Sequence, residues 1–333
     1  MMNFIKGNIK TLVSCYFYFL VIAVVAVTFL PLWPFFNGLI IPKYLLLFGP
    51  RWWLLILIAV VCFFWSYLNI KKRLFLPIII LGAFNYLDFQ VPSLNYYMQT
   101  KPAENNTVKI IQANIGGTSL QELKLIVNNE QPDILLLQEV RNINILKLFA
   151  NEYLTSCKGG LCIISKLEFE EIDVLSRKLI SRWGNFAILY KIETEQGNFS
   201  LANIHFETPR TVIASFLDRI WDQVEADSIE DKRQYQALLI STWLQSQENV
   251  IIAGDFNMTE DENIYRKYFS SLNNAIGMAA FGLNYTKQTS WHGARIDHFL
   301  FSNNFILNES RILNTKTGDH QPILSIVNFK HED

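Results

Sequence analysis

Acidic residues are almost missing from the first hundred positions of this 333-residue chain. Asp88 is the one acid there, against seven Lys and Arg. No charged residue of either sign occurs from Thr11 to Pro42. Such a stretch is foreign to an ordinary soluble domain and points to a membrane region. Cysteine is scarce, with four in all, and no CxxC pair or His/Cys cluster marks a zinc site. Internal repeats and low-complexity tracts are absent, which excludes a solenoid or a long disordered tail. Residues 101–333 hold 22 basic and 29 acidic residues, a net −7, with no dense basic run. That balance is a poor match to a duplex-binding surface, which draws on several Lys and Arg phosphate contacts.

What is present divides in two. TLVSCYFYFLVIAVVAVTFL, about residues 11–30, is long enough to cross a bilayer at ~1.5 Å per residue. WWLLILIAVVCFFWSYLNI, 52–70, is a second uncharged run, and a third, about 74–91, requires Asp88 to sit at the interface. The piece from Phe35 to Pro50 reads as interfacial or re-entrant. Lys6 and Lys10 place the amino terminus inside, as the Lys71–Arg73 cluster does the second loop. Three crossings then put the rest of the chain outside the cytoplasm; failure of the third leaves it cytoplasmic. The multi-pass reading anticipates a plasma-membrane protein whose partners are the lipid bilayer and a substrate, with no protein partner evident. Cys15 and Cys62 read as packing residues. Cys157 and Cys162 can bridge a hairpin in an oxidising space, although Cys162 equally suits a buried strand.

Residues 92–107 read as a linker, with two prolines and many polar side chains. The remainder, 108–333, alternates strands and helices as a layered α/β domain does. VKIIQAN is a strand ending at Asn114. SLQELKLIVNNEQ is an amphipathic helix with Ser119 as N-cap and Glu122 three residues on. PDILLLQEV runs into Glu139, and LCIIS, FAILYKI and FSLANIH are further strands. Helices are expected over 211–225, 231–247 and about 261–271. NVIIAGDFNMTE is a short buried strand with Gly254 as the turn. Alternation there aims Asp255 and Asn257 one way while Phe256 packs behind them. RIDHFLFS and GDHQPILSIVNF supply the last strands.

Several strands thus end at groups suited to phosphate and metal chemistry: Asn114, Glu139, His205, Asp255 with Asn257, Asp297, and Asp319 with His320. Each has a plain alternative. Glu139 can be a solvated strand end, His205 a hydrogen-bonded core residue, Asp297 a partner for Arg295, and Asp319-His320 a turn. Trp291 either walls a site or packs, and His298, next to Asp297, should face the other way into the core. His292 and His331 read as surface residues. Arg182 and Arg210 serve equally as phosphate contacts or structural ion pairs.

Taken in order, QAN at 112–114, PDILLLQE at 132–139, GLCIISK at 160–166, NIHFETP at 203–209, GDFN at 254–257, RID at 295–297 and GDHQP at 318–322 resemble the endonuclease/exonuclease/phosphatase superfamily. The membrane part resembles the anchors of its membrane-bound bacterial members. In the last motif Gly318 stands where the family usually has serine. The resemblance implies a four-layer α/β sandwich, two packed β-sheets flanked by helices, with the site at one sheet edge. It also implies a Mg²⁺ ion (Mn²⁺ may substitute) held chiefly by Glu139 with Asn114 and Asp319 nearby. By the same resemblance Asp255 orients or deprotonates water, Asn257 and Asn114 contact the substrate, and His320 touches the phosphate while Asp297 orients it. His205 assists the leaving group from the opposite side.

The residue types suit the chemistry on their own terms. A hard cation neutralises the phosphate, and Mg²⁺ is commonly held by one or two carboxylates plus water. Clustered acids raise one another's pKa, so one can act as base. Three readings follow: a membrane-tethered phosphoesterase acting on a phosphodiester such as a lipid headgroup, a nuclease of the same chemistry, or an inactive binding module.

Overall fold

The computed structural model describes residues 2–29, 39–99, 107–180 and 183–330. Arg182 and His331 lie outside them. The domain is built from two six-stranded sheets. The first has β1 (Val108–Asn114), β2 (Ile134–Gln138), β3 (Leu154–Lys158), β4 (Leu161–Ser165), β13 (Phe305–Ile312) and β14 (Ile323–Phe329), in the order β13-β14-β1-β2-β4-β3. The second has β5 (Phe169–Ser176), β6 (Asn185–Thr194), β7 (Gly197–His205), β8 (Val250–Asp255), β9 (Asn273–Asn274) and β12 (Asp297–Phe301), in the order β5-β6-β7-β8-β12-β9. Only β1–β2 and β7–β8 are parallel, so each sheet has one parallel pair at its centre.

Alternation along these strands explains the layering. Ile110, Ile134 and Leu136 face Ile251, Ala253 and Phe299 in a core between the sheets. Ile111, Leu135 and Leu137 point the other way, onto α6 (Leu120–Glu130), while Val250 and Ile252 pack beneath α8 (Gln223–Leu244) and α9 (Asn263–Phe269). The result is helix, sheet, sheet, helix, the four-layer sandwich that the motif order implies.

Local chemistry sets several boundaries. Ser119 caps α6, but Glu122 does not reach back to complete a capping box. Its carboxylate instead accepts from the Thr317 amide at 3.0 Å, tying the helix to the loop before His320. The helix expected over 211–225 stops at Leu217, as α7 (Arg210–Leu217), and Asp222 caps a new one by accepting from the Glu225 amide. Gly254 is not a turn: it lies inside β8. Its φ is +141°, and a Cβ there would collide with the Ile204 carbonyl of the neighbouring strand.

The amino-terminal part differs from the expected three spans. The first run lies in α1 (Met2–Thr28), and Gly7–Thr28 is the one described helix long and apolar enough to cross a membrane. The 52–70 run is not one helix. It holds α3 (Trp53–Phe63), a short turn at Trp65–Tyr67, and the start of α4 (Ile70–Tyr86), where Asn69 caps by accepting from the Lys72 amide. Eleven residues of α3 rise only ~16 Å, short of the ~30 Å hydrocarbon core. It satisfies the length requirement only with α2 (Ile40–Phe48), to which it is bent by 73°. The third segment begins four residues early and is 17 residues long. Multiple crossings are therefore not supported, and the parity argument loses its premise.

The expected linker is also partly structured. Gln90 pairs with Gly282 and Ser93 caps α5 (Leu94–Met98). Tyr96 enters the core between the sheets, its hydroxyl donating to the Asn308 carbonyl. Cys157 and Cys162 face each other across the β3–β4 hairpin as a disulfide.

Candidate active site

The two central parallel pairs deliver their carboxyl ends to the same rim of the sandwich. Register then fixes what meets there: Asn114 is opposite Gln138, and His205 opposite Asp255. The antiparallel neighbour β12 begins with Asp297 opposite Asp255. In the other sheet β14 starts with Ile323 opposite Gln112, so the residues just before it, His320 among them, arrive beside Asn114. Behind the rim, Gln138 donates to Asn203 across the sheets, and Asn203 donates to the Leu137 and Cys162 carbonyls, so the sheets are bridged by a buried polar tie.

Six of the expected residues come together. The Asn114 amide nitrogen donates to Glu139 Oε1 at 3.1 Å and to Asp255 Oδ2 at 2.9 Å. His205 Nε2 lies 3.7 Å from Asp255 Oδ2 and 3.9 Å from Glu139 Oε1. On the other flank, His320 Nε2 is 3.8 Å from the same Asp255 oxygen, and its Nδ1 is 2.9 Å from Asp297 Oδ2. Asp255 therefore sits between two imidazoles. Glu139 is presented from a left-handed residue, φ +55°, immediately past β2, and Gly116 leaves room for it. A Cβ at position 116 would stand 2.6 Å from Glu139 Oε2.

These surroundings set the charges. Burial pulls the His205 imidazole down to about 4 despite Asp255 nearby, so it is neutral at pH 7. Burial also opposes a charged His320, but Asp297 and Asp255 outweigh it and push the ring up to about 9. Burial raises the Asp255 carboxyl, and the Asp297 charge adds to that, with His320 and His205 working against both. A neutral imidazole, a protonated one and an acid reluctant to ionise thus share one rim, the separation expected of acid–base roles.

Other expected residues are placed differently. Asp319 belongs to neither group of acids and imidazoles whose ligand atoms lie within 4.8 Å of one another; those groups are Glu139 with His205 and Asp255, and Asp255 with Asp297 and His320. Its side chain is 49% exposed and pairs with Lys287 at 2.5 Å. Burial of that carboxyl is outweighed by the bond and charge of Lys287, which lower its pKa. Asn114, named with Asp319 beside the cation, spends its amide nitrogen on two acids and its oxygen on the Gly116 amide. Asn257 follows the strand in a left-handed conformation, φ +49°, rather than continuing the alternation. It donates to the Phe206 carbonyl at 3.0 Å, and its own amide donates to Asp255 Oδ1. Trp291, 61% exposed, stands at a hairpin tip against Trp52 and His292. His298 packs inward, edge-on to Phe256, its Nε2 2.8 Å from the Met258 carbonyl. Arg295 does not serve Asp297: it pairs with Asp88 and Glu260.

Two residues at the rim carry no motif signal. The Thr286 hydroxyl accepts from the Ile296 and Asp297 amides, holding the start of β12. Lys287 bonds Asp319 and lies 3.0 Å from His320 Nε2. Both sit about ten positions before Asp297 in a polar stretch without apolar periodicity, where only long-range pairing reveals them.

Glu139 and Asp255 have ligand atoms within 4.8 Å of each other, with His205 beside them, and carboxylates so placed fit a hard divalent cation. Comparison with known proteins gives the family and the fold. The sequence model described as the Endonuclease/Exonuclease/phosphatase family matches residues 111–320. Among solved structures, a humanized TDP2 of D. rerio is similar at 17% identity, TM-score 0.53, over 67% of this chain and 99% of that one. The 3′-5′ exonuclease NExo of Neisseria meningitidis gives 14% and 0.51 over 67% and 100%. A protein titled endonuclease/exonuclease/phosphatase from Beutenbergia cavernae gives 12% and 0.51 over 68% and 72%. At these identities the likeness is one of fold. No curated protein matches the chain.

Proposed function

Because the chain belongs to the endonuclease/exonuclease/phosphatase family, metal-dependent hydrolases of phosphoesters, we propose that it is a membrane-tethered enzyme cleaving a lipid-headgroup phosphodiester. The convergence of Glu139, His205, Asp255, Asp297 and His320 on one rim carries this reading. Glu139 would hold a Mg²⁺ ion (Mn²⁺ substituting), and His205, on the flank opposite His320, would assist the leaving group. When bound, that ion would neutralise phosphate charge and so lower the barrier to attack.

The chain's own groups do the rest. Asp255, held by the Asn114 and Asn257 amides, positions a water and takes its proton, a task suited to a carboxyl raised by burial. Protonated His320, fixed in orientation by Asp297, donates to a phosphate oxygen where negative charge accumulates. Asn114 keeps the two acids in register.

Lipid is supported by what lies beside the domain. α7 packs on α2 through Ile41, Tyr44 and Val212, and Leu217 at the end of α7, Ile220 and Trp221 in the turn and Val224 at the start of α8 are exposed. An apolar rim with tryptophan, next to the amino-terminal helices, is suited to a bilayer surface. The Cys157–Cys162 bridge supports an oxidising compartment. The test uses the full chain in detergent with Mg²⁺ or EDTA against glycerophospholipids, sphingomyelin, phosphatidylinositol phosphates, plasmid DNA and RNA. The expected outcome is EDTA-sensitive release of a lipid headgroup; cleavage of DNA or RNA alone would replace the lipid reading with a nuclease.

A further inference from the structure

Lys287 is a cation at the rim that the chemistry above leaves unused. Lys287 begins a short hairpin of β10 (Lys287–Gln288) and β11 (Gly293–Ala294). The hairpin is fixed at both ends. At its base Lys287 is bridged to His320, the Gln288 amide donates to the Asp319 carbonyl at 2.7 Å, and the Gln321 amide donates to the Thr286 carbonyl at 2.7 Å. At its tip His292 Nε2 lies 3.0 Å from the Phe48 carbonyl, and the Trp52 indole donates to the Trp291 carbonyl at 3.1 Å. A long flexible side chain is thus launched from a clamped backbone.

Its ammonium has two neighbours of unlike kind, an acceptor that it bonds and a protonated ring that it faces donor to donor. One is Asp319, 2.5 Å away and half exposed; the other is His320 Nε2 at 3.0 Å, the ring atom that also faces Asp255. An ion pair as exposed as Lys287–Asp319 contributes little to stability, so releasing it costs little. The side chain keeps 27% of its exposure, so the ammonium is not sealed from what enters the rim. Lysine is a point charge able to follow a phosphate oxygen, and one placed beside the His320 donor can share the same anion.

We propose that Lys287 is the substrate-phosphate cation of this site, parked on Asp319 until a phosphate enters and then bonding a non-bridging oxygen beside His320. The assignment rests on the phosphoesterase reading. It goes further in naming a group that no motif marks and in giving Asp319 the part of a resting partner. A purely structural Lys287–Asp319 pair makes the opposite forecast, since removing either member would then do the same thing.

The experiment measures binding of inorganic phosphate to the full chain in detergent, with saturating Mg²⁺, by calorimetry. Mn²⁺ affinity is followed separately by electron paramagnetic resonance. Lys287→Met is expected to weaken phosphate about tenfold while leaving Mn²⁺ affinity in place, and Lys287→Arg to restore most of the loss. Asp319→Asn is expected to bind phosphate as tightly as the unaltered chain or more so. Unchanged phosphate affinity in Lys287→Met overturns the proposal. So does an equal loss in Lys287→Met and Asp319→Asn. A chain that binds phosphate through Lys287 yet hydrolyses no phosphoester would sink the functional reading and leave this assignment standing.

Discussion

At the scale of single residues, the rim holds a neutral and a protonated histidine on either side of one Asp255 oxygen, at 3.7 and 3.8 Å. Folded His320 keeps its proton up to about pH 9, whereas an unfolded chain releases it near ~6.5. Its contribution to stability is therefore complete below ~6.5 and is lost as the pH rises through about 9. Folded His205 stays neutral down to about pH 4, so its contribution is present above ~6.5 and is lost as the pH falls through about 4. In EDTA, unfolding temperatures should show His320→Asn hurting most at pH 6 and least at pH 10. His205→Asn should instead blunt acid unfolding, and identical pH profiles for the two variants would refute the assignment. Asp297→Asn should bring the His320 titration, followed by NMR, back toward its ordinary value. His320→Ala should cost ~10²–10³ in kcat, the loss of one donor to the phosphate oxygen where charge accumulates. All six rim residues are legible in the sequence because each ends or begins a strongly apolar strand. Lys287 and Thr286 are not, because their two-residue ladder has no period.

At the scale of elements, the loop after β8 matters beyond Asp255 and Asn257. Three consecutive acids there each meet a different arginine: Glu260 pairs with Arg295, Asp261 with Arg51, and Glu262 with Arg233. Arg295 and Arg233 are fully buried, so each needs its partners. Burial would lower the Arg295 pKa, but Asp88 and Glu260 carry it well above its ordinary value. Asp88 and Arg51 belong to the amino-terminal part, which thereby holds the loop behind the site from outside the sandwich. Asp88→Asn leaves Arg295 with Glu260 alone and should cost about 3 kcal/mol in urea unfolding of the full chain in detergent. A change under half of that would mean that the bond to Asp88 contributes little. The sequence shows these charges but not their pairing, since partners 29 to 210 positions apart leave no local mark.

At the scale of the whole molecule, the amino-terminal helices brace the sandwich from outside. Arg51 bonds Asp261 through both terminal nitrogens, while Lys43 and Tyr44 bond Glu230 on α8. A piece beginning at residue 101 would lack every one of these contacts, together with Tyr96 from the core. It should unfold at lower temperature than the full chain and expose the apolar surface around Val212 and Ile229, read by dye binding. Equal melting temperatures would show the two parts to be independent. The chain should also remain with membranes through carbonate washing and leave only with detergent, given the one spanning-length helix at Gly7–Thr28.

The sequence by itself determined the strands, the four-layer arrangement and which acids and histidines share a rim. The strands follow from local apolar alternation, and the layering and the shared rim from the resemblance that the ordered motifs carry. Tertiary structure alone decided that the second apolar run is broken, that Asp319 turns to Lys287, and that Arg295 serves Asp88 rather than Asp297. Helix continuity over uncharged residues depends on caps such as Asn69 and on what the segment packs against. The pairing of charges depends on distances across the fold that composition does not encode.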